Sequence, residues 1–348
     1  MKVNKRELQD ALTIVEPGLA NKEVIEQTTS FAFVKGRVVT YNDEISMSYP
    51  VKGLHLTGAV KADKLYALLK KIKLKKDKEG KVDENIDITL GEAEIEISYY
   101  SMKAGLALQS DIKLPLDQEI AEKGEWKALP EDFMPAIKFT MTCCSRDMSR
   151  PVLTCIHINK DGFIEASDSY RLARFELLED LPVKTFLLPA TSATELVKFE
   201  PVEIALGKGW IHFKTADDGI LSCRILADAF PDTSPIRKET EGKSIEIKLP
   251  NTIESMLERA KVFAKKDHVL DEIIQVTLED RKFRINVKSD TDWFEEAVNI
   301  NYEGTKITFA VTPYLLKDII SETKSCTLAS NKLRFTGDHW VYITMLRA

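Results

Sequence analysis

Apolar residues fall at helical spacing in three well-separated stretches of the chain. In NKRELQDALTIVEPG (4–18), Leu8, Ala11, Leu12 and Val15 share one face. LPEDFMPAIKFTMTCC (129–144) repeats the pattern with Phe133, Ile137 and Met141, and Pro135 lies in the first turn, where proline is tolerated. PNTIESMLERAKVFAKK (250–266) repeats it again with Ile253, Leu257 and Ala260, behind Asn251 as the expected N-cap. The three starts lie about 120 residues apart, close to a third of the 348-residue chain.

A second helical stretch follows each start: DKLYALLKKI, TSATELVKF and YLLKDIISE. Leu65, Leu68 and Leu69 of the first correspond to Ala193, Leu196 and Val197, then to Leu316, Ile319 and Ile320. Around the helices, apolar and polar residues alternate with the period of two that marks half-buried strands. GRVVTYN, EIEISYY, GFIEAS, VEIALGKGWIHFKT, KFRINV, KITFAV and WVYITML are such segments. The expectation is an α+β protein of three similar domains in tandem, residues 1–120, 121–244 and 245–348, each with two helices packed on antiparallel sheet. Three equal units suit an arc. Two arcs close into a ring only through a head-to-tail interface whose rotation closes.

Within the alternating segments, ASDSYRLARFE (166–176) stands out. Two strands meet at a polar turn, Asp168-Ser169, and Arg171 and Arg174 sit just beyond it among apolar neighbours. Half-buried strands rarely place two guanidinium groups there without a use for them. For Tyr170 and Leu172, the residues alone suggest ordinary core packing.

Charge adds a second signal. The net charge is −6, yet KADKLYALLKKIKLKKDKEGK (61–81) holds nine lysines against three carboxylates, a local +6 that leaves −12 for the rest. An acidic body with concentrated basic stretches repels polyanions in general while admitting one at a chosen place. The plainer reading is a solvated lysine-rich helix end and hairpin loop. The five cysteines, Cys143, Cys144, Cys155, Cys223 and Cys326, show no C-x-x-C spacing and read as small buried thiols of a reduced compartment. The opening MKVNKRELQD lacks the apolar core of a signal peptide, and no apolar run approaches the ~20 residues of a membrane span. A cytoplasmic protein without a membrane partner is expected. No P-loop, no G-x-G-x-x-G, no G-x-S-x-G elbow and no H-x-x-x-H pair occurs, so no enzyme, cofactor or metal is expected.

RPVLTCIHI (150–158) with ASDSYRLA (166–173), then Phe230-Pro231-Asp232, then Tyr302-Glu303-Gly304 leading into ITFAVTPYLLKDII, and finally VYITMLRA at the end, stand in a telling order. In order and spacing they resemble the bacterial DNA polymerase III β subunit family, the sliding clamps. The resemblance implies three tandem DNA-clamp domains forming half of a six-domain, homodimeric ring, with helices lining the hole. It implies a processivity factor that encircles double-stranded DNA without regard to sequence, is placed there by a clamp loader and tethers the replicative DNA polymerase. Partners dock short apolar peptides in a pocket between domains two and three. Carried over position by position, that pocket comprises Leu153, Ser167, Ser169, Tyr170, Arg171, Leu172, Pro231, Ile236, Thr344, Met345, Leu346 and Arg347. Arg171 and Arg347 would hold peptide carboxylates or carbonyls at the rim. Removing Met345–Ala348 would abolish peptide binding without unfolding the ring.

The chain departs from the family pattern at Ser169 and Tyr170, where glycine and histidine are usual. It departs again at Thr344-Met345 and Ala348, and at Ser234-Pro235, where basic residues are common. The preferred peptide is therefore open, and a dedicated polymerase of a phage or other mobile element fits as well as a host set. For DNA, the helix candidates are Lys5, Arg6, Lys138, Arg259, Lys261, Lys265, Lys266, Lys64, Lys70, Lys71, Lys198 and Lys317. In loops they are Lys22, Arg146 and Arg150, with the tract Lys73, Lys75, Lys76 and Lys78. Long cations that meet phosphates without reading bases are what sliding needs. The other readings are a clamp of the trimeric, two-domain type, a clamp-like protein that binds partners without encircling DNA, and a nucleic-acid-processing enzyme. Three repeats in one chain favour the three-domain subunit over the trimeric type.

Overall fold

The computed structural model describes residues 1–76, 80, 82–116, 124–242 and 244–347. Lys78, Ala348 and the expected boundary at 120 lie outside them. The chain groups into two compact units, each drawn from two stretches of sequence: residues 1–129 with 182–227, and residues 130–181 with 228–348.

The first unit is built on two antiparallel sheets. The larger has eight strands in the order Lys127–Ala128, Glu203–Leu206, Trp210–Lys214, Ile220–Arg224, Ile45–Pro50, Arg37–Tyr41, Ser30–Val34 and Gly58–Lys61. Its two halves, far apart in sequence, join where Ile220 pairs with Ser48 and Cys223 with Ile45. The smaller has four strands, Lys2–Asn4, Asn85–Leu90, Glu94–Tyr99 and Met102–Ala107.

The helix Lys5–Val15 begins where Asn4 accepts the free N–H groups of Arg6 and Glu7 (2.9 and 3.2 Å), an N-cap that satisfies donors the helix itself leaves open. Leu8, Ala11, Leu12 and Val15 are buried, the face that the spacing predicts. The helix ends in a 3-10 turn, Glu16–Gly18, because Thr40 takes the carbonyl of Val15 (2.6 Å) and the backbone at Gly18 lies against Thr40. A Cβ at Gly18 would come within 2.3 Å of Thr40 Oγ1, so only glycine fits. The predicted second helices appear as Ala62–Lys71 and Ala190–Phe199.

In the second unit one sheet runs in the order Cys155–Asn159, Phe163–Ser167, Arg171–Glu176, Trp340–Met345, Lys332–Thr336, Ser325–Ala329 and Ile245–Lys248. A four-stranded sheet follows the order Trp293–Asn299, Lys282–Lys288, Ile274–Glu279 and Ile307–Val311. The helices Phe133–Thr140 and Ile253–Ala264 bury Phe133, Ile137, Ile253, Leu257 and Ala260, as their spacing requires. Three details differ from expectation. Met141 lies beyond its helix, half-buried in the 3-10 turn Met141–Cys143. Thr252, not Asn251, occupies the cap of the later helix, and its side chain makes no capping bond. YLLKDIISE is not one hydrogen-bonded helix but two turns, Pro313–Leu316 and Ile319–Glu322, with the interruption at Lys317-Asp318. Both of those residues keep helical dihedrals, so the helical path continues while the hydrogen-bond ladder is broken.

Leu12→Ala is expected to cost about 2–5 kcal/mol of stability, the range for a buried leucine cut back in a well-packed core. An earlier urea midpoint by circular dichroism is the readout. No change would mean that this helix face does not carry the core of its unit.

Candidate functional site

The turn at 167–171 is built by its own polar side chains. Asp168 accepts the N–H groups of Tyr170 and Arg171, each at 3.0 Å, and Ser167 Oγ donates to the Arg171 carbonyl at 2.8 Å. Ser169 is held at φ +76°, a left-handed conformation that glycine adopts at no steric cost and serine only with strain.

Arg171 is 3% exposed, which corrects its expected place on the rim. Its Nε donates to Asp168 (2.9 Å), Nη1 to Asp318 (2.9 Å), and Nη2 to the Thr142 carbonyl (2.5 Å) and Tyr314 Oη (3.0 Å). The guanidinium also lies 4.6 Å from the centre of the Tyr314 ring. One side chain thus ties the turn, the segment after Phe133–Thr140 and the helical turns at 313–322. Burial pushes the nearby Cys143 thiol up to about 12 and the Tyr342 hydroxyl well above its ordinary range, so both are neutral. The counter-charges are Asp168 and Asp318.

Arg174 is used in a parallel way. Its guanidinium stacks 3.5 Å over Phe163 and pairs with Glu176 (2.6 Å) and Glu165 (3.5 Å). Glu165 is buried and also bonds His157 Nδ1 (2.9 Å) and Thr233 Oγ1 (2.7 Å). Burial pushes the Glu165 carboxyl up, but the bonds from His157 and Thr233 and the charge of Arg174 outweigh it and hold it below its ordinary value. His157 in turn stacks on Phe230, ring centres 5.0 Å apart. The network fixes the Phe230-Pro231-Asp232 segment to the sheet, with Pro231 and Ile236 left exposed.

Strand pairing brings much of the proposed pocket together. Arg171 faces Thr344 and Leu172 faces Ile343 across adjacent strands, and the Met345 N–H donates to the Tyr170 carbonyl at 2.8 Å. Arg347 donates to the Leu270 carbonyl and lies 5.2 Å over the Tyr170 ring. Leu172, Thr344 and Leu346 are buried, so with Arg171 they form the wall behind the surface rather than the surface itself. The outward group is Ser169, Tyr170, Pro231 and Ile236, with Leu153, Ser167, Met345 and Arg347 half-buried. The chain end is a strand paired on both sides, and Leu346 and Arg347 donate backbone bonds to Asn331 and Ala310 (each 2.8 Å). Cutting at Met345 therefore removes structure as well as surface, which corrects the expectation of a clean truncation.

Leu153, Ser169 and Tyr170 line a groove of about 560 Å³ together with Arg146, Arg150 and the turn His268–Leu270. The 268–270 turn and Tyr314 were not legible as part of the site, because only tertiary folding sets them beside the 168–170 turn. A second cavity of about 330 Å³ gathers Arg146, Lys261 and Lys317, but with Glu254 and Glu258 among them.

The remaining DNA candidates divide clearly. Lys5 is buried, and its ammonium donates to Gln9 at 2.5 Å, which corrects its expected place among the exposed cations facing DNA. Arg6 pairs with Glu84 (3.1 Å), Lys198 with Glu195 (3.0 Å) and Arg259 with both oxygens of Glu296 (2.9 and 2.6 Å). Lys70 lies 3.8 Å over the Tyr66 ring. Lys22, Lys64, Lys71, Lys138, Lys265, Lys266 and Lys317 are exposed and make no ion pair among the described residues. All five cysteines are buried and unbridged.

Arg171→Ala is expected to destabilise by about 3–5 kcal/mol, because two carboxylates lose their buried partner, and Arg171→Lys should recover little, since an ammonium cannot span the same fork. Chemical denaturation distinguishes this from a surface role, which would leave the midpoint in place. Glu165 has a lowered folded pKa, so its contribution is complete above the ordinary glutamate value of about 4.3 and fades as pH falls through the folded value. Glu165→Gln should flatten that part of the acid limb in melts from about pH 6 to about pH 3; an unchanged limb would remove Glu165 from the account.

No family model matches the chain. A Beta sliding clamp of Rickettsia felis is 25% identical over 268 residues, covering 70% of this chain and 69% of the relative. One from Mycoplasma genitalium is 23% identical over 181 residues, 48% of this chain and 46% of the relative. Among solved structures, the DNA polymerase III beta subunit of Thermotoga maritima aligns with a TM-score of 0.79 at 20% identity, covering 100% of this chain and 98% of its own. The DNA polymerase sliding clamp of Bacillus subtilis gives 0.82 at 16%, with the same coverage. A sliding clamp from Pseudomonas aeruginosa bound to griselimycin gives 0.83 at 15%, covering 100% and 99%. Over its whole length, this chain has the α+β fold of the bacterial DNA polymerase III beta subunit, the sliding clamp.

Proposed function

We propose that the chain is a DNA polymerase processivity factor. Two copies close head to tail into a ring around duplex DNA, and the groove beside Tyr170 tethers the replicative polymerase and other partners. The observation that carries this reading is the fold match across the full chain with TM-scores near 0.8. In this reading the domains are residues 1–120, 121–244 and 245–348, a loader places the ring, and the protein does no chemistry itself. Grip on DNA comes from exposed lysines such as Lys71, Lys138, Lys265 and Lys266, which meet phosphates at any register.

Ring closure needs two complementary edges. Met102–Ala107 and Trp293–Asn299 are each the outer strand of a four-stranded sheet, with backbone groups open for pairing with another chain. Beside the second edge stand Trp293 and Val262, 71% and 72% exposed, and Phe263 stacked on Phe294 at 5.3 Å. An apolar cluster of this kind marks an interaction surface. The first edge of one copy against the second edge of another gives the heterologous contact that a closed ring requires.

Light scattering over a concentration series should give a mass near twice 39.4 kDa, and Val262→Asp with Phe263→Asp should return it to the single-chain value. A single-chain mass at every concentration would sink the two-subunit ring. Retention on circular but not on linear DNA then separates an encircling clamp from a surface binder.

A further inference from the structure

We propose that the groove beside Tyr170 selects peptides whose apolar anchor is flanked by carboxylates. The inference rests on reading this groove as the partner-peptide site, and it adds what that partner must carry.

Arg146 and Arg150 both line the groove and are exposed. Arg146 makes no ion pair among the described residues, and Arg150 spends one nitrogen on Ser169 Oγ at 3.2 Å. The lining holds two carboxylates, Asp147 and Asp168. Asp168 is neutralised by the buried Arg171 and by two backbone N–H groups. Asp147 accepts the Ser149 N–H at 2.9 Å and is held below its ordinary pKa by that bond. Two guanidinium groups thus stand against Asp147 alone, which Ser149 and the charge of Arg150 already hold, so the lining keeps cationic capacity to spare, and forks of this shape match carboxylates in bidentate fashion. The apolar part of the lining, Leu153 with Val269 and Leu270, gives the anchor its place.

Phosphate is the other anion such cations attract, and single-stranded nucleic acid would also want aromatic platforms. The two tyrosines of the lining are poor platforms. Tyr170 already carries the Arg347 guanidinium at 5.2 Å, and Tyr314 carries that of Arg171 at 4.6 Å. Each ring has one face taken by a cation of the protein itself. A peptide, which needs no free ring face, is favoured. The body of the protein is net acidic, so its long-range field does not draw an acidic partner in. The preference must come from short contacts within the groove and must weaken with salt.

Fluorescein-labelled nonapeptides with one Leu-Leu-Phe anchor, flanked by Asp-Asp, Asn-Asn or Lys-Lys, test this by anisotropy with the full chain. The Asp-flanked peptide is expected to bind roughly fivefold to twentyfold tighter than the Asn-flanked one at low salt, the scale of two exposed ion pairs. The gap should narrow at high salt and close in an Arg146→Gln/Arg150→Gln variant whose melting temperature is unchanged. Equal binding of the Asp and Asn peptides would overturn the charge preference while leaving the groove as a peptide site. No binding of any of the three would overturn both. A labelled oligothymidylate that displaces the Asp peptide at lower concentration would make the groove a nucleic-acid surface and overturn the proposal.

Discussion

One buried guanidinium governs the site. Arg171 loses its hydration shell in a sheet interior, a cost of several kcal/mol that only near-complete hydrogen bonding offsets. Two carboxylates, one carbonyl and one phenol supply that bonding, and they come from three local contexts: the turn itself, the segment after a helix, and the helical turns at 313–322. Satisfying Arg171 therefore fixes where Asp168, Thr142, Tyr314 and Asp318 can be. Tyr314, which Arg171 holds, lines both cavities, so that constraint reaches both of them.

The second arginine of the stretch obeys the same rule with a different outcome. Arg174 and His157 share Glu165, whose second oxygen holds Thr233, so a strand residue and the start of the Ser234–Glu239 helix are bound to one buried carboxylate. Because Phe230 stacks on His157, the exposed Pro231 and Ile236 are carried by a segment with little freedom. A peptide surface made of such residues is preorganised, so less affinity is lost to ordering it on binding. The polar network lies behind the surface, and the apolar residues lie in front.

Much of the fold was legible because periodicity reports burial directly. Leu8, Leu12, Ile137 and Leu257 lie inside because 3.6-residue spacing leaves them no other face, and the alternating segments became strands. The ladder break at Lys317-Asp318 was not legible, since both residues keep helical dihedrals and Asp318 is engaged by an arginine far away in sequence. The fates of the charged residues were the least legible. Arg171 and Arg347 look equivalent in sequence, yet the first is consumed inside the protein and the second lies on Tyr170 beside the groove. Lys5 read as a pore cation, but at the first position of its helix it turns onto Gln9 one turn later. A charge seen in sequence carries no record of which partner folding brings to it.

That division between spent and unspent cations bears on the proposed sliding along DNA. A ring that gripped phosphates with unopposed lysines throughout would bind strongly and move slowly, since every step would break several contacts at once. In the proposed ring Lys71, Lys138, Lys265 and Lys266 stand unpaired among the described residues, while Arg6, Lys198 and Arg259 stand beside carboxylates of their own. Exposed pairs of this kind are worth little, about 0–1 kcal/mol, so a passing phosphate can exchange with the local carboxylate at small net cost in either direction. In the proposed ring the attraction would then be shallow and smooth along the DNA, while retention would depend on closure of the ring. In that reading topology supplies the persistence, and the charges need only keep the duplex centred.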